Sequence, residues 1–385
     1  MTDRDDILRI LVSTDNHLGV WERDEVRGAD SFRSLEEVLA LAQREKVDFV
    51  LLGGDLFHDN KPSRQTVIRA MEIFSKACLS DQPVRFQILS DQRQNFSSGQ
   101  VNFENPNYNI GLPVFTIHGN HDDPGGAENL SAVDILSSGA LLNYFGKIPI
   151  VGAGVGKIRV SPVLIRKGST RLALYGLGNL RDERLCRLFQ TPGCVEWVRP
   201  AETPEHPKDS WFNLFGAKNY VRESHLARFL DLVIWGHEHE CLADPWAKSK
   251  HVVVLEIKGQ QWRTIKHRLE TVRPFEFETV RLQDHKQLKP DDGEALTALL
   301  EARVEGMLER AARGRSAGAP ELPLVRLRVD YTGFSTINTQ RFGARFVGRV
   351  ANPHDIILWQ RAAQRRNKVR GAWEGAWGVV EWVRV

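Results

Sequence analysis

The chain has 385 residues, a formal net charge of +3 and 26% charged residues. That near balance excludes binding to nucleic acid through a global basic field, so any such surface is a local patch. Its 42% apolar residues exclude a disordered chain and suit one large domain plus a smaller one, and no apolar run approaches the roughly 20 residues of a membrane span.

In chain order, Ile7 to Val12 is an apolar run that ends in Ser13-Thr14-Asp15-Asn16-His17. A helical pattern follows, with Leu35, Val38, Leu39 and Ala42 on one face. Phe49-Val50-Leu51-Leu52 predicts a buried strand ending in Gly53-Gly54-Asp55, and Arg64 to Leu79 predicts a helix. Ser80 to Leu112 is a polar insertion with little periodicity, the kind of loop that is functional or mobile. Pro113 to Ile117 predicts a strand that ends in His118-Gly119-Asn120-His121-Asp122. Strand, loop, helix, strand is an α/β signature, and in such folds sites lie beyond the carboxyl ends of strands.

Ile158 to Gly178 predicts antiparallel strands around Lys167-Gly168-Ser169. Leu226 to Trp235 predicts a helix feeding a strand, followed by Gly236-His237-Glu238-His239. After about Pro245 the texture changes: a hairpin around Lys258-Gly259-Gln260-Gln261, a charged amphipathic helix from Asp292 to Arg313, a Gly/Pro/Ala-rich stretch to Pro323, and a strand from Leu324 to Tyr331. The expected domains are 1–245 and a smaller α+β domain, 246–385. Cys78, Cys186, Cys194 and Cys241 form no C-x-x-C pair, and the first six residues are no signal peptide, which together predict an intracellular protein.

Four pieces follow apolar runs: Asp15-x-His17, Gly54-Asp55 with His58, Gly119-Asn120-His121-Asp122, and Gly236-His237-x-His239. Each alone is weak; together, at successive strand ends, they converge. Carboxylate, imidazole and amide donors suit Mn²⁺, Fe²⁺ or Zn²⁺, and the lack of thiolates argues against a structural zinc site. Two divalent ions about 3.5–4 Å apart clamp the attacking and leaving oxygens of an in-line displacement. Asp55, between the two donor sets in the chain, is the natural bridge. His121 is placed to protonate the leaving oxygen as a general acid. His58 either contacts the charge developing on phosphorus or is a solvated loop histidine. His118 reads as a hydrogen-bonded core residue.

These pieces resemble the calcineurin-like metallophosphoesterases, and the segments around them look like the eukaryotic double-strand-break repair nucleases of the meiotic-recombination-eleven type, with SbcD as bacterial relatives. The segments are Ser13 to Gly19, Gly53 to Ser63, Ile117 to Pro124 and Trp235 to Glu240, with Leu324 to Tyr331 and Arg349 to Pro353 extending the likeness. The resemblance implies a β-sandwich flanked by helices, with a smaller DNA-binding cap domain. It implies a nuclear, Mn²⁺-dependent DNA endonuclease and 3′-to-5′ exonuclease. Asp15, His17, Asp55 and His239 would hold one ion; Asp55, Asn120 and His237 the other; His121 would donate the proton. The chain departs from the pattern twice. The family carries a further metal-binding histidine just after the strand resembling Trp211 to Phe215, where this chain runs into Gly216-Ala217-Lys218. A short Ser-Gln-Pro-Gly-Ser-Ser-like segment is also missing around Pro245 to Lys250.

Arg341, Arg345 and Arg349 recur every fourth residue beside Phe342, Phe346 and Val350, and on a helix they would form either a phosphate-tracking stripe or a solvated face. Lys61 and Arg64 are weaker DNA-binding candidates. The resemblance further implies a homodimer through helices resembling Arg64 to Leu79 and Glu128 to Phe145, including Met71, Phe74, Leu136 and Leu141. It also implies an SMC-like coiled-coil ATPase partner, whose binding region falls largely beyond Val385, and a nibrin-type subunit contacting the segment from Gln92 to Ile110. Two alternatives stand beside the nuclease: a protein phosphatase of the same superfamily, disfavoured by Leu56-Phe57-His58-Asp59 and by Gly-Asn-His-Asp at the third motif, and a DNA-tethering scaffold with a vestigial metal site.

Overall fold

The computed structural model describes residues 5–203, 207, 210–219, 221–237, 251–361 and the backbone of 382–384. The chain divides into two compact units, 1–269 with 379–385, and 270–378.

The first unit is a sandwich of two six-stranded sheets. In the first sheet, β1 (Leu8–Ser13), β2 (Phe49–Leu52), β4 (Val114–Thr116) and β5 (Asn143–Tyr144) run parallel. The hairpin β12 (His251–Lys258) and β13 (Gln261–Arg268) adds antiparallel to β1, with Leu8 opposite Ile257. In the second sheet, β8 (Thr170–Leu177), β10 (Phe212–Ala217), β11 (Leu232–Trp235) and β17 (Trp382–Arg384) run parallel; at the other edge β7 (Val163–Lys167) pairs antiparallel with β8, and β3 (Gln87–Ile88) antiparallel with β7.

Alternation along the strands explains the layers. Ile10, Val12, Phe49, Leu51 and Phe115 meet Leu172, Leu174, Phe212, Leu214, Leu232 and Ile234 between the sheets. The intervening residues of the second sheet, Ala173, Tyr175, Phe215, Val233 and Trp235, form a second core under α4 (Asp182–Gln190) and the small ladder of β6 (Ile158–Val160) with β9 (Val195–Trp197). Strands buried on both faces read as continuous apolar runs, which is how these read. Helix α1 (Asp30–Arg44) buries Leu35, Val38, Leu39 and Ala42 as its periodicity predicts and packs on β2 and α2 (Arg64–Cys78). Ser63 caps α2 through the N–H of Thr66.

Several expectations change here. The hairpin, grouped from its sequence with the second domain, pairs with β1, so the first unit runs to Leu269 rather than stopping at 245. No helix forms over Leu226–Asp231; Asp231 instead accepts hydrogen bonds from the backbone and side-chain amide of Asn213 at 2.6 and 2.9 Å, pinning the entry to β11. The insertion from Ser80 to Leu112 is tied down: Phe86, Phe96 and Val101 enter the inter-sheet core, the Asn102 backbone N–H donates to Asn143 Oδ1, and Asn143 Nδ2 donates to Asn102 Oδ1. Of the proposed dimer residues, Phe74, Leu136 and Leu141 are buried in this chain, and α3 is confined to Ala132–Ser138; Ile68 and Ile135 are the exposed apolar residues on those helices.

In the second unit, β14 (Phe275–Arg281), β15 (Leu324–Asp330) and β16 (Ile357–Gln360) are parallel. The long helix α5 (Gly293–Gly314), capped by Asp292, turns Leu296, Leu300, Val304 and Met307 onto them. Phe342 of the short α6 (Thr339–Ala344) and Phe346 and Val350 beyond it complete that core. No helix among the described residues is long and apolar enough to cross a membrane.

Candidate metallophosphoesterase site

Parallel strands end together, so the loops after β1, β2 and β4 emerge along one edge of the first sheet. Those after β10 and β11 emerge along an edge of the second. The loops are laced by backbone bonds: Asp15 N–H to Gly54 O at 3.1 Å, His17 N–H to Asp55 O at 3.0 Å and Leu18 N–H to Leu56 O at 2.8 Å. Asp15, His17, Asp55 and His237 all adopt left-handed backbone, with φ of 56°, 47°, 47° and 78°. Such conformations cost about 1–3 kcal/mol each in non-glycine residues and persist where the surroundings over-determine them, typically at functional sites.

Asp122 organises the third loop. Fully buried, it accepts from Gly119 N–H at 2.6 Å with one oxygen, and from Leu56 and Phe57 N–H at 2.8 and 3.2 Å with the other. Burial outweighs these bonds and pushes its carboxyl up to about 6. Asp122 stands in the third motif, but no role for it could be read there; its signal was only its position after the histidine. His118 is the expected core histidine: Tyr144 Oη lies 2.7 Å from Nδ1, and burial lowers its imidazole to about 4.

The site itself gathers three imidazoles and two carboxylates. His17, His58 and His121 form one group of potential ligands, and Asp15, His17 and Asp55 another. His58 and His17 approach at 3.3 Å between Nδ1 atoms, and the rings of His58 and His121 stack at 5.0 Å. His121 donates its Nδ1 proton to the His58 carbonyl at 2.6 Å, leaving Nε2 for a reacting group, and its backbone N–H bonds to Asp55 Oδ1 at 2.8 Å. His58 is therefore built into the cluster, beyond a plain solvated loop position. Asn120 and His237 are exposed and bonded to each other at 3.1 Å, and the His237 N–H reaches Asp15 Oδ2 at 3.0 Å. His239 and the segment from Pro245 to Lys250 lie outside the described residues.

Lys218 was passed over in the sequence as the point where an expected histidine fails. It is fully buried at the end of β10, and its ammonium contacts Asp15 Oδ1 and lies 2.5 Å from Asp55 Oδ2. Burial would raise the Asp15 carboxyl, but Lys218, Thr14 and the His237 N–H together hold it below its ordinary value. Lys218 follows a strand that is apolar but for Asn213, so its one sequence signal was a charge just past a strand end, as with Asp15 and Asp55.

The DNA candidates are dispersed. Lys61 and Arg64 are exposed beside the second loop. Arg341, Arg345 and Arg349 do not share a helix, because α6 ends at Ala344. Arg345 pairs with Glu301 and Arg349 with Glu305, both on α5.

A sandwich of two sheets with carboxylates, histidines and an asparagine on its converging loops defines a phosphoesterase architecture, and the chain belongs to the calcineurin-like phosphoesterase family, whose model matches residues 8–241. Residues 262–375 match the Mre11 DNA-binding presumed domain. Over most of its length the chain is similar to proteins named double-strand break repair protein MRE11. The identity is 50% to that of Oryza sativa subsp. indica (95% of this chain, 57% of that protein). It is 48% to that of Arabidopsis thaliana (94% and 55%) and 45% to that of Homo sapiens (95% and 56%). The chain thus spans just over half the length of these relatives.

Proposed function

We propose that the chain is a metal-dependent DNA phosphodiesterase of double-strand-break repair and meiotic recombination, acting as endonuclease and 3′-to-5′ exonuclease in the nucleus. The observation that carries this is the convergence of Asp15, His17, Asp55, His58 and His121 at strand ends in a chain that also matches a DNA-binding domain. Manganese is the ion we assign, since mixed carboxylate and imidazole donors suit it. The expected pair of ions, one on Asp15, His17, Asp55 and His239 and one on Asp55, Asn120 and His237, fits the donor chemistry but not the occupancy, because Lys218 already contacts both aspartates. A bound divalent ion supplies Lewis acidity and an acidified water. The chain's own part is to aim His121, fixed by the His58 carbonyl and the Asp55 carboxylate, so that Nε2 can hold or give a proton at the leaving oxygen.

DNA is the proposed substrate, and a second copy of the chain, an SMC-like ATPase and a nibrin-type subunit are the proposed partners. Purified protein is expected to cut duplex DNA and bis-(p-nitrophenyl) phosphate in Mn²⁺ while leaving p-nitrophenyl phosphate nearly untouched. Rapid turnover of the monoester with no diester cleavage would replace the nuclease with a phosphatase. The scaffold alternative is favoured by one observation, Lys218 on the two aspartates, and it predicts DNA binding without cleavage.

A further inference from the structure

Asp15 and Asp55 bring together two largely buried carboxylates. Asp55 is fully buried; its Oδ1 takes the His121 N–H, while its Oδ2 accepts no hydrogen bond among the described residues and faces the Lys218 ammonium at 2.5 Å. Buried anions persist only when a cation or several donors compensate them. Here the cation is covalently part of the chain.

The place for Lys218 is built. Its side chain passes between two glycines: a Cβ added to Gly54 or to Gly236 would each lie 3.2 Å from Lys218 Cδ. Its backbone is fixed at the end of a strand every residue of which is buried. The ammonium touches the same two oxygens, Asp15 Oδ1 and Asp55 Oδ2, that an ion shared by these aspartates would approach to about 2 Å. One cation excludes another there by both volume and charge.

We propose that the Lys218 ammonium takes the place of one divalent ion, so that this site holds at most one metal where its donor pattern suggests two. This deepens the phosphodiesterase reading and rests on it. Lys218 acts as a fixed unit of positive charge that offsets one of the two carboxylate charges in the absence of metal. It also lowers the charge the site can gather around a phosphate, since one ammonium carries half the charge of the ion it replaces.

The test is Mn²⁺ binding by calorimetry, with elemental analysis after desalting, on the native chain and on Lys218→His. The native chain is expected to bind no more than one Mn²⁺ at this site and the variant one ion more. Two ions in the native chain would overturn the proposal while leaving the phosphodiesterase standing. A variant that binds some Mn²⁺ but no more than the native chain would also overturn it. No binding by either protein would overturn both. Should Lys218→His fold poorly, Lys218→Met is read by thermal melting. It is expected to melt below the native chain in EDTA and to gain more from Mn²⁺ than the native chain does; equal melting and equal gain would overturn the proposal.

Discussion

Gly119 lies so close to Asp55 that a Cβ on the glycine would stand 2.0 Å from the aspartate's Oδ1. The third loop thus rests directly on the carboxylate that the second loop delivers, and the His121 N–H seals the contact at 2.8 Å. Gly119→Ala must push Asp55 or the loop aside. Overpacking of this kind costs about 1–3 kcal/mol, and we expect DNA cleavage to be lost while the melting temperature falls by several degrees. Cleavage assays beside thermal melting check this; an alanine variant with native activity would mean the loops do not need this contact.

Asp122 holds three backbone N–H groups from two loops. Asp122→Asn can present only one carbonyl oxygen, and its NH₂ would face donors. The expected destabilisation is about 1–3 kcal/mol, the cost of leaving buried donors unmet. Urea unfolding measures it directly, and an unchanged midpoint would show that the loops hold without this carboxylate.

His121→Asn removes the proton carrier but leaves the backbone N–H that bonds to Asp55. Loss of a general acid lowers turnover about 10²–10⁴-fold. DNA affinity, measured by fluorescence anisotropy, is expected to stay within a few-fold of the native value. A parallel loss of binding would indicate that His121 contacts the substrate rather than serving the chemistry.

The second unit offers a discriminating charge experiment. Arg345 and Arg349 are engaged with Glu301 and Glu305, whereas Arg341 stands exposed beside them. Each arginine that neutralises a phosphate contributes about one unit to the salt dependence of binding. Arg341→Gln is therefore expected to shallow the slope by about one unit, and Arg349→Gln to leave it nearly unchanged. Equal effects would mean the pairs open to receive DNA. Because these pairs are exposed, breaking them should barely change stability.

Thiol chemistry provides an independent check of burial. Cys186 is exposed, while Cys78 is buried and its thiol is pushed up to about 12. The thiolate is the reactive form. An aromatic disulfide reagent at pH 8 should modify Cys186 within minutes and Cys78 only after unfolding; rapid labelling of Cys78 in the native protein would contradict its burial at the end of α2.

Much of the site was legible because its residues follow apolar runs, and strands buried on both faces advertise themselves in the sequence. Asp15, Asp55 and His121 could be placed at strand ends from local pattern alone. Lys218 also stands just past a strand end, but its role could not be read, because its partners lie 203 and 163 residues away and nothing local marks it as their counter-ion. The same distance hid the pairing of the hairpin at 251–268 with β1, an arrangement decided by which sheet edge remained open. The arginine stripe failed for another reason. Its four-residue spacing is real and Phe342, Phe346 and Val350 are buried, but the helix stops at Ala344 and Arg345 and Arg349 turn to glutamates of α5.

The most direct test of the central claim is cleavage of an end-labelled DNA duplex by the purified chain in Mn²⁺, in EDTA, and with His121→Asn in Mn²⁺. The account predicts cleavage in the first alone. Tight binding of the duplex with no cleavage at any Mn²⁺ concentration would contradict it and make the chain a DNA-holding protein built on a phosphoesterase fold.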